Sequence, residues 1–334
     1  MRIAMVTDAW FPQINGVVST LSRVREELQA LGHEVTVIAP SGFRTVPCPT
    51  YPEIRLALTP GSGVRRLLEQ AQPHAIHVPT EGPLGMEARR YCLKHNLPFT
   101  TSYHTRFPEY LSARVSVPLG WGYRFMRWFH RPSAGVMVAT PSLKRELDER
   151  GFGELKQWSR GVDIALFRPR PEETPILDLP RPVFLYVGRV AVEKNIEAFL
   201  KLYLPGSKLV VGGGPHLEGL KKSYPEAHFV GPKQGEDLAR HYVLGDVFVF
   251  PSRTDTYGLV LLEAMASGVP VAAYPVTGPL DVVVPASGGV LDKDLGKAAT
   301  AALDSDRGQA RAYAEGFSWQ ACAEQFLGHL VPFA

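Results

Sequence analysis

The chain has 334 residues, 45% hydrophobic and 21% charged, a length that suits two domains and a composition that excludes wholesale disorder. Its 31 glycines and 29 prolines follow no period, which excludes a collagen-like chain, and no apolar run reaches the roughly 18 residues of a membrane-crossing helix. The net charge of +3 is uneven: residues 1–165 hold 20 Lys/Arg against 14 Asp/Glu and residues 166–334 hold 16 against 19, so an anionic partner is expected in the first half, though the excess is too small for a nucleic-acid binder.

The first element is a strand over 2–9, RIAMVTDA, whose Asp8 comes too early for a secretory leader, so a cytoplasmic location is expected. The loop WFPQINGV leads to a helix with Leu21, Val24, Leu28 and Leu31 on one face and Gly32 at its end. A strand over 33–40 completes a βαβ unit, which implies a parallel sheet. The alternation continues through 75–80, a helix over 84–95, strands over 98–105 and 135–141, and a helix from Ser142, read as its N-cap. The proline-rich stretch 168–182 lacks periodicity and reads as a linker between domains 1–167 and 183–317. Beyond it the expected strands are 183–190, 208–215, 228–231, 247–252 and 270–275, with helices over 193–204, 216–223, 236–244 and 258–267. The closing segment 318–334 reads as a helix that packs through Trp319, Phe326 and Leu330 and could return to the first domain. Cys48, Cys92 and Cys322 lie far apart, which speaks against a disulfide framework or structural zinc. The fold class is therefore α/β, two Rossmann-like doubly wound domains, with ligands expected at strand carboxyl ends and in a cleft between the halves.

Polar residues at those strand ends carry the candidate chemistry. In SRTDTYGLVLLEAMASGVPV a strand ends at Ser252, a loop carries Asp255, and a helix starts near Gly258. The N–H groups of Gly258, Leu259 and Val260 suit a phosphate or diphosphate, and Asp255 and Glu263 could hold two sets of hydroxyls, a sugar and a ribose. The alternative is a capping Asp255 and an exposed Glu263, but Glu263 is the only charge in its helix. In YVGRVAVEKNI, Arg189 and Lys194 follow a strand end and suit a diphosphate leaving group; a solvated pair is the alternative. VVGGGP, with Gly213, is a strand-end glycine turn without dinucleotide-binding spacing. Asn15-Gly16 follows the first strand, and His104, in SYHTRFPEY, lies just beyond another strand end, a structural role being the alternative; His77 lies within a strand and reads as structural.

Together these elements resemble family 4 retaining glycosyltransferases of the GT-B fold. Their acidic pair, with seven residues between its members, is matched by Asp255-x7-Glu263 with EAMASGVPV, their Arg/Lys pair by GRVAVEKN, their junction by RGVDIALFRP, and their His segment by YHTRFPEYL. Asn15-Gly16 stands where the family has Gly-Gly, and Asp255 replaces Glu. TDTYG, NGVV and YHTRFPEYL together resemble a branch of sulfoquinovosyl-, glucosyl- and glucuronosyl-diacylglycerol synthases and lipid mannosyltransferases.

The resemblance implies a hexosyl transfer from a nucleotide-sugar, UDP-linked or alternatively GDP-mannose, to a membrane lipid such as diacylglycerol, with no cofactor or metal. Glu263 would bind the ribose, Asp255 the hexose hydroxyls, Arg189 and Lys194 the diphosphate, and His104 the donor sugar. Gly16, Gly213, Tyr257, Gly258, Leu259 and Val260 would complete the donor site. The leaving phosphate would take the acceptor's proton on the same face of the sugar. The same architecture serves nucleotide-sugar 2-epimerases, which would lack the acidic-pair and GRVAVEKN elements.

For the acceptor side, residues 111–131 carry Arg114, Arg124, Arg127 and Arg131 with no acid, interleaved with Trp121, Tyr123, Phe125, Trp128 and Phe129. This suits an anionic membrane interface on the inner face of the membrane, although a helix with inward aromatics is the alternative. Asp8, Asn15 and Arg106 are placed on this side as well.

Overall fold

The structure, a computed structural model, describes every residue except 14, 49–50, 113–117 and 334, so Arg114 lies outside the described residues. The chain divides into two compact units, Met1–Arg160 with Trp319–Ala334, and Gly161–Ser318.

The first unit runs β1 (Arg2–Val6), α1 (Gly16–Ala30), β2 (Glu34–Ile38), β3 (Thr45–Cys48), β4 (Tyr51–Ala57), α2 (Gly61–Ala71), β5 (Ala75–Val78), α3 (Pro83–Lys94), β6 (Thr100–Tyr103), α4 (Phe107–Ser112), α5 (Leu119–His130), β7 (Gly135–Val138), α6 (Pro141–Glu149) and β8 (Leu155–Gln157). Six strands form a parallel sheet in the order β2-β1-β5-β6-β7-β8. β5, β6 and β7 are buried at every residue, as strands covered on both faces must be. The antiparallel pair β3–β4 and α2 fall in 41–74, where the sequence reading placed no element.

α1 buries Val18, Leu21, Val24 and Leu28; Leu31 is its C-cap and 41% exposed, off the buried face expected for it. The helix of the closing segment, Trp319–His329, packs on α1, and Phe326 and Leu330 are buried with Ile3, Leu21 and Trp158. Each such apolar side chain contributes about 1.5–3 kcal/mol on burial. Trp158 Nε1 also donates to the Cys322 carbonyl at 3.0 Å, which ties the closing helix to this unit. The cap of α6 is Thr140 rather than Ser142: its hydroxyl accepts from Leu143 N at 3.3 Å, and Pro141 fills the first helical position.

The second unit runs β9 (Val183–Val187), α7 (Ile196–Leu200), β10 (Ser207–Val211), α8 (Leu217–Ser223), β11 (His228–Gly231), α9 (Gly235–Tyr242), β12 (Val247–Phe250), α10 (Leu259–Ala266), β13 (Val271–Ala273), α11 (Pro279–Val282), β14 (Val290–Leu291), α12 (Leu295–Ala301) and α13 (Arg307–Ala314). Its parallel sheet has the order β11-β10-β9-β12-β13-β14. That is the 3-2-1-4-5-6 order of a doubly wound fold, whose direction of winding reverses between β9 and β12. The helix expected over 193–204 is instead a short 3₁₀ turn, Val192–Lys194, followed by α7, with Asn195 between them at φ 52°.

The proline-rich stretch 168–182 belongs to this unit, and the boundary falls at Arg160 rather than 167. The physical reason is Arg170, which is buried and donates to Glu173 at 2.8 Å, Glu236 at 2.5 Å and the Leu166 carbonyl at 3.0 Å. Phe167 is buried too, edge-on to Tyr242 at 5.5 Å. Anchored this way, the stretch is part of a folded unit and not a free tether.

Candidate functional site

In the second unit the winding reversal puts the loops after β9 and β12 side by side, the place where doubly wound sheets take ligands. The two loops are laced together. Thr254 Oγ1 donates to the Glu193 carbonyl at 3.1 Å, and Asn195 Nδ2 donates to the Pro251 carbonyl at 3.0 Å. Lys194 Nζ donates to Asp255 Oδ1, so two residues 61 apart in sequence form an ion pair. Arg189 stands half-buried on the same loop as Lys194, its carbonyl accepting from Tyr186 Oη at 2.7 Å.

The glycine turn after β10 props the β9 loop from beside it. Gly188 N donates to the Val211 carbonyl at 3.0 Å, and Val190 N to the Gly213 carbonyl at 2.9 Å. A Cβ on Gly212 would sit 1.8 Å from the Gly188 carbonyl oxygen, and one on Gly214 would sit 2.4 Å from that of Val190. Both have φ near 150°, so the close approach demands glycine twice. Gly213 itself has room: its Cβ would meet only Pro232, at 3.6 Å.

α10 starts at its N-cap, Gly258, whose φ of 84° turns the chain out of the loop. The N–H groups of Gly258, Leu259 and Val260 belong to the first turn and have no acceptor within the helix. Five of the eight residues of α10 are buried apolar side chains, and Glu263 is its one charge. Glu263 is half-buried, and Oε2 accepts from Tyr242 Oη at 2.7 Å. Tyr257 is buried beside the loop. Of the sequence-predicted donor residues, Arg189, Lys194, Gly213, Asp255, Tyr257, Gly258, Leu259, Val260 and Glu263 stand on or beside the carboxyl ends of β9, β10 and β12, whereas Gly16 and His104 lie in the first unit.

Two residues here escaped the sequence reading. Tyr242 orients Glu263 from α9, and only the fold joins the two. Arg253, on the Asp255 loop, stacks its guanidinium 3.7 Å over the Tyr274 ring.

In the first unit the winding reverses between β1 and β5. Asp8 follows β1, but its carboxylate is not open to a ligand. It accepts from Leu84 N at 2.9 Å, Gly85 N at 3.2 Å and Thr80 Oγ1 at 3.0 Å, so it caps α3, and burial pushes its carboxyl up to about 6. Asn15 is the N-cap of α1, its Oδ1 accepting from Val17 N and Val18 N at 3.0 Å each. Gly16 opens that helix and is exposed. His104 lies beyond β6, edge-on to Trp158 at 5.7 Å, with Nδ1 3.4 Å from Arg160 Nη2. Burial first, and then the Arg160 charge, hold its imidazole well below the usual histidine range, so the ring is neutral at pH 7. Arg160 was not singled out from the sequence; it is buried, stacked 4.3 Å over Trp158. His77 is fully buried between Thr100 and Ser102 hydroxyls, each at 2.9 Å, and burial holds it down at about 3.

Arg106 differs from the acceptor-side expectation. It is buried and makes a two-pronged pair with Glu146, at 2.9 and 2.5 Å, so its charge is already answered. Helix α5 sorts the aromatics of 119–131 by face. Tyr123 and Phe129 are buried and Phe125 is half-buried, while Trp121, Arg124, Trp128 and Arg131 are exposed at helical spacing. Arg127 is half-buried and donates to the Arg150 carbonyl at 2.9 Å, and Arg89 stacks 4.0 Å over Trp128. Among the described residues no helix is long and apolar enough to cross a membrane.

The chain matches the family model Glycosyltransferase Family 4 over residues 14–166 and the model Glycosyl transferases group 1 over residues 181–304. It is 31% identical over 317 residues to a GDP-mannose-dependent alpha-mannosyltransferase of Mycolicibacterium smegmatis, covering 87% of this chain and 84% of the relative. It is 30% identical over 314 residues, 84% of this chain, to the sulfoquinovosyl transferase SQD2 of Arabidopsis thaliana, and spans 61% of that relative's length. An alpha-monoglucosyldiacylglycerol synthase of Streptococcus pneumoniae is 26% identical over 82% of this chain and 71% of its own. Among solved structures, a sucrose-phosphate synthase from Thermosynechococcus elongatus superposes with a TM-score of 0.79 at 21% identity, covering 98% of this chain and 97% of that one.

Proposed function

The chain belongs to glycosyltransferase family 4 and is a hexosyltransferase with the GT-B fold of two Rossmann-like domains, and from that premise we propose that it moves a hexosyl group, with retention, from a UDP-sugar to a membrane lipid, diacylglycerol. The observation that carries the donor half is the pairing of one cationic and one acidic loop at the winding reversal of the second sheet, beside the α10 N-terminus. As the bond from the sugar C1 to the β-phosphate oxygen breaks, negative charge grows on the diphosphate. Arg189, Lys194 and the first-turn N–H groups of α10 stabilise it. The bond from C1 to the acceptor oxygen forms on the same face, and the departing phosphate oxygen takes the acceptor's proton. Glu263, oriented by Tyr242, holds the ribose hydroxyls, and Asp255 the hexose hydroxyls. His104, neutral, is able to serve a sugar hydroxyl as a hydrogen-bonding group and not as a cation.

The lipid half is supported by the diacylglycerol-glycosylating relative and by the exposed Trp121, Arg124, Trp128 and Arg131 stripe on α5, which suits an anionic bilayer at the inner face of the membrane. A second reading, GDP-mannose as donor, is favoured by mannosyltransferase relatives that align with nearly the whole chain. The test offers a panel of UDP- and GDP-sugars with diacylglycerol-containing lipid extract and reads products by mass spectrometry. A glycolipid whose anomeric configuration matches the donor is expected. Donor turnover that leaves every lipid unmodified refutes the lipid acceptor, and no turnover of any donor refutes the donor site.

A further inference from the structure

We propose that the Lys194–Asp255 pair makes Asp255 the residue that separates the sugar-bearing donor from the bare nucleoside diphosphate. The inference rests on the donor-site reading above and deepens it. The pair is well shielded, with side-chain exposures of 23% for Lys194 and 15% for Asp255, so solvent screens it less than a surface pair. Its backbone cannot simply drift apart. Two hydrogen bonds lace the β9 and β12 loops, and behind Asp255 the chain passes so close that a Cβ on Gly278 would lie 2.9 Å from the Asp255 carbonyl oxygen. Asp255 Oδ2 is buried and has no hydrogen-bond partner among the described residues, so the carboxylate has acceptor capacity to spare.

A diphosphate that takes the charge of Lys194 therefore takes it from Asp255. The carboxylate is then left shielded from water, close to a second anion and short of donors, which is unfavourable. A donor with its hexose still attached relieves this, because the sugar hydroxyls donate to Asp255. A bare nucleoside diphosphate brings no such hydroxyls. Asp255 thus opposes the product nucleotide while accepting the donor, and once the hexosyl group has left, it competes again for Lys194 and loosens the product.

The test is calorimetric titration of UDP, GDP and inorganic pyrophosphate into the full chain and into Asp255→Asn, Lys194→Met and the double variant, with Asp255→Ala as the second removal of the charge. Asp255→Asn is expected to bind the nucleoside diphosphates and pyrophosphate roughly tenfold tighter than the unaltered chain. The double variant is expected to bind them no tighter than Lys194→Met, because the gain runs through the lysine. Nucleoside diphosphate binding that is unchanged or weaker in both Asp255 variants overturns the inference and leaves the donor site standing. Failure of all the proteins to bind any of the three ligands overturns the donor-site reading and this inference with it.

Discussion

The substitution Asp8→Asn is expected to flatten the pH dependence of the first unit's stability. The Asp8 carboxylate is 6% exposed and accepts two backbone N–H groups and one hydroxyl, yet burial outweighs those bonds and lifts its carboxyl from 3.8 to about 6. The folded-state value is the higher one, so the folded chain holds the proton more tightly than the unfolded chain. The resulting stability is complete below the unfolded value near 3.8 and disappears as the pH rises through 6. Between about pH 4.5 and pH 7.5 the loss amounts to about 2 kcal/mol. The amide introduced by Asp8→Asn cannot titrate; it sacrifices one acceptor for the α3 N–H groups, a cost of about 1–2 kcal/mol at every pH. All 5 tryptophans, Trp10, Trp121, Trp128, Trp158 and Trp319, lie in the first unit, so urea denaturation followed by tryptophan fluorescence reads that unit alone. The stability difference between the unaltered chain and the Asp8→Asn variant, taken across this pH range, isolates the one group from every other titration. Equal slopes for the two proteins would refute the argument that burial governs this carboxyl.

Three further outcomes follow from the donor and membrane assignments. Glu263→Ala and Asp255→Ala should each lower initial transfer rates more than about tenfold, as loss of a charge-assisted hydrogen bond of about 1.5–3 kcal/mol implies, and Tyr242→Phe should weaken nucleotide binding less than Glu263→Ala; wild-type rates in both acidic variants would remove the donor assignment. Transfer should persist in EDTA, because in the proposed donor site Arg189 and Lys194 supply the positive charge that faces the diphosphate, and a loss reversed by magnesium or manganese would contradict this. Arg124→Ser with Arg131→Ser should cut co-sedimentation with anionic vesicles at low salt, at about 1 kcal/mol per arginine, and spare nucleotide binding, whereas equal binding to neutral and anionic vesicles would dismiss the electrostatic part.

What the sequence by itself determined is the local alternation and the chemistry at its joints. Parallel strands buried on both faces have to read as unbroken apolar runs, so VFLYV and VFVF stand out, and the polar residues after them mark the strand ends where ligands bind. For that reason Arg189, Lys194, Asp255 and Gly258 stand out in the sequence as candidates, and Glu263 does so as the one charge of an apolar helix. The α6 cap is local too, yet the expected Ser142 gives way to Thr140, because Pro141 occupies the first helical position. What only the tertiary structure decided is which polar group answers which. Lys194 and Asp255 are 61 residues apart, Arg106 and Glu146 are 40 apart, Asp8 and Leu84 are 76 apart, and Trp158 and Cys322 are 164 apart. Such pairs depend on strand order and on how helices pack against the sheets, which no pattern within one segment encodes. The same cause turned Asp8, Asn15 and Arg106 from candidate ligands into a distant cap, a local cap and a buried ion pair, and divided the aromatics of α5 between core and surface. A charged side chain near a strand end has several readings in sequence, and the fold chooses among them by placing or withholding a partner within hydrogen-bonding reach.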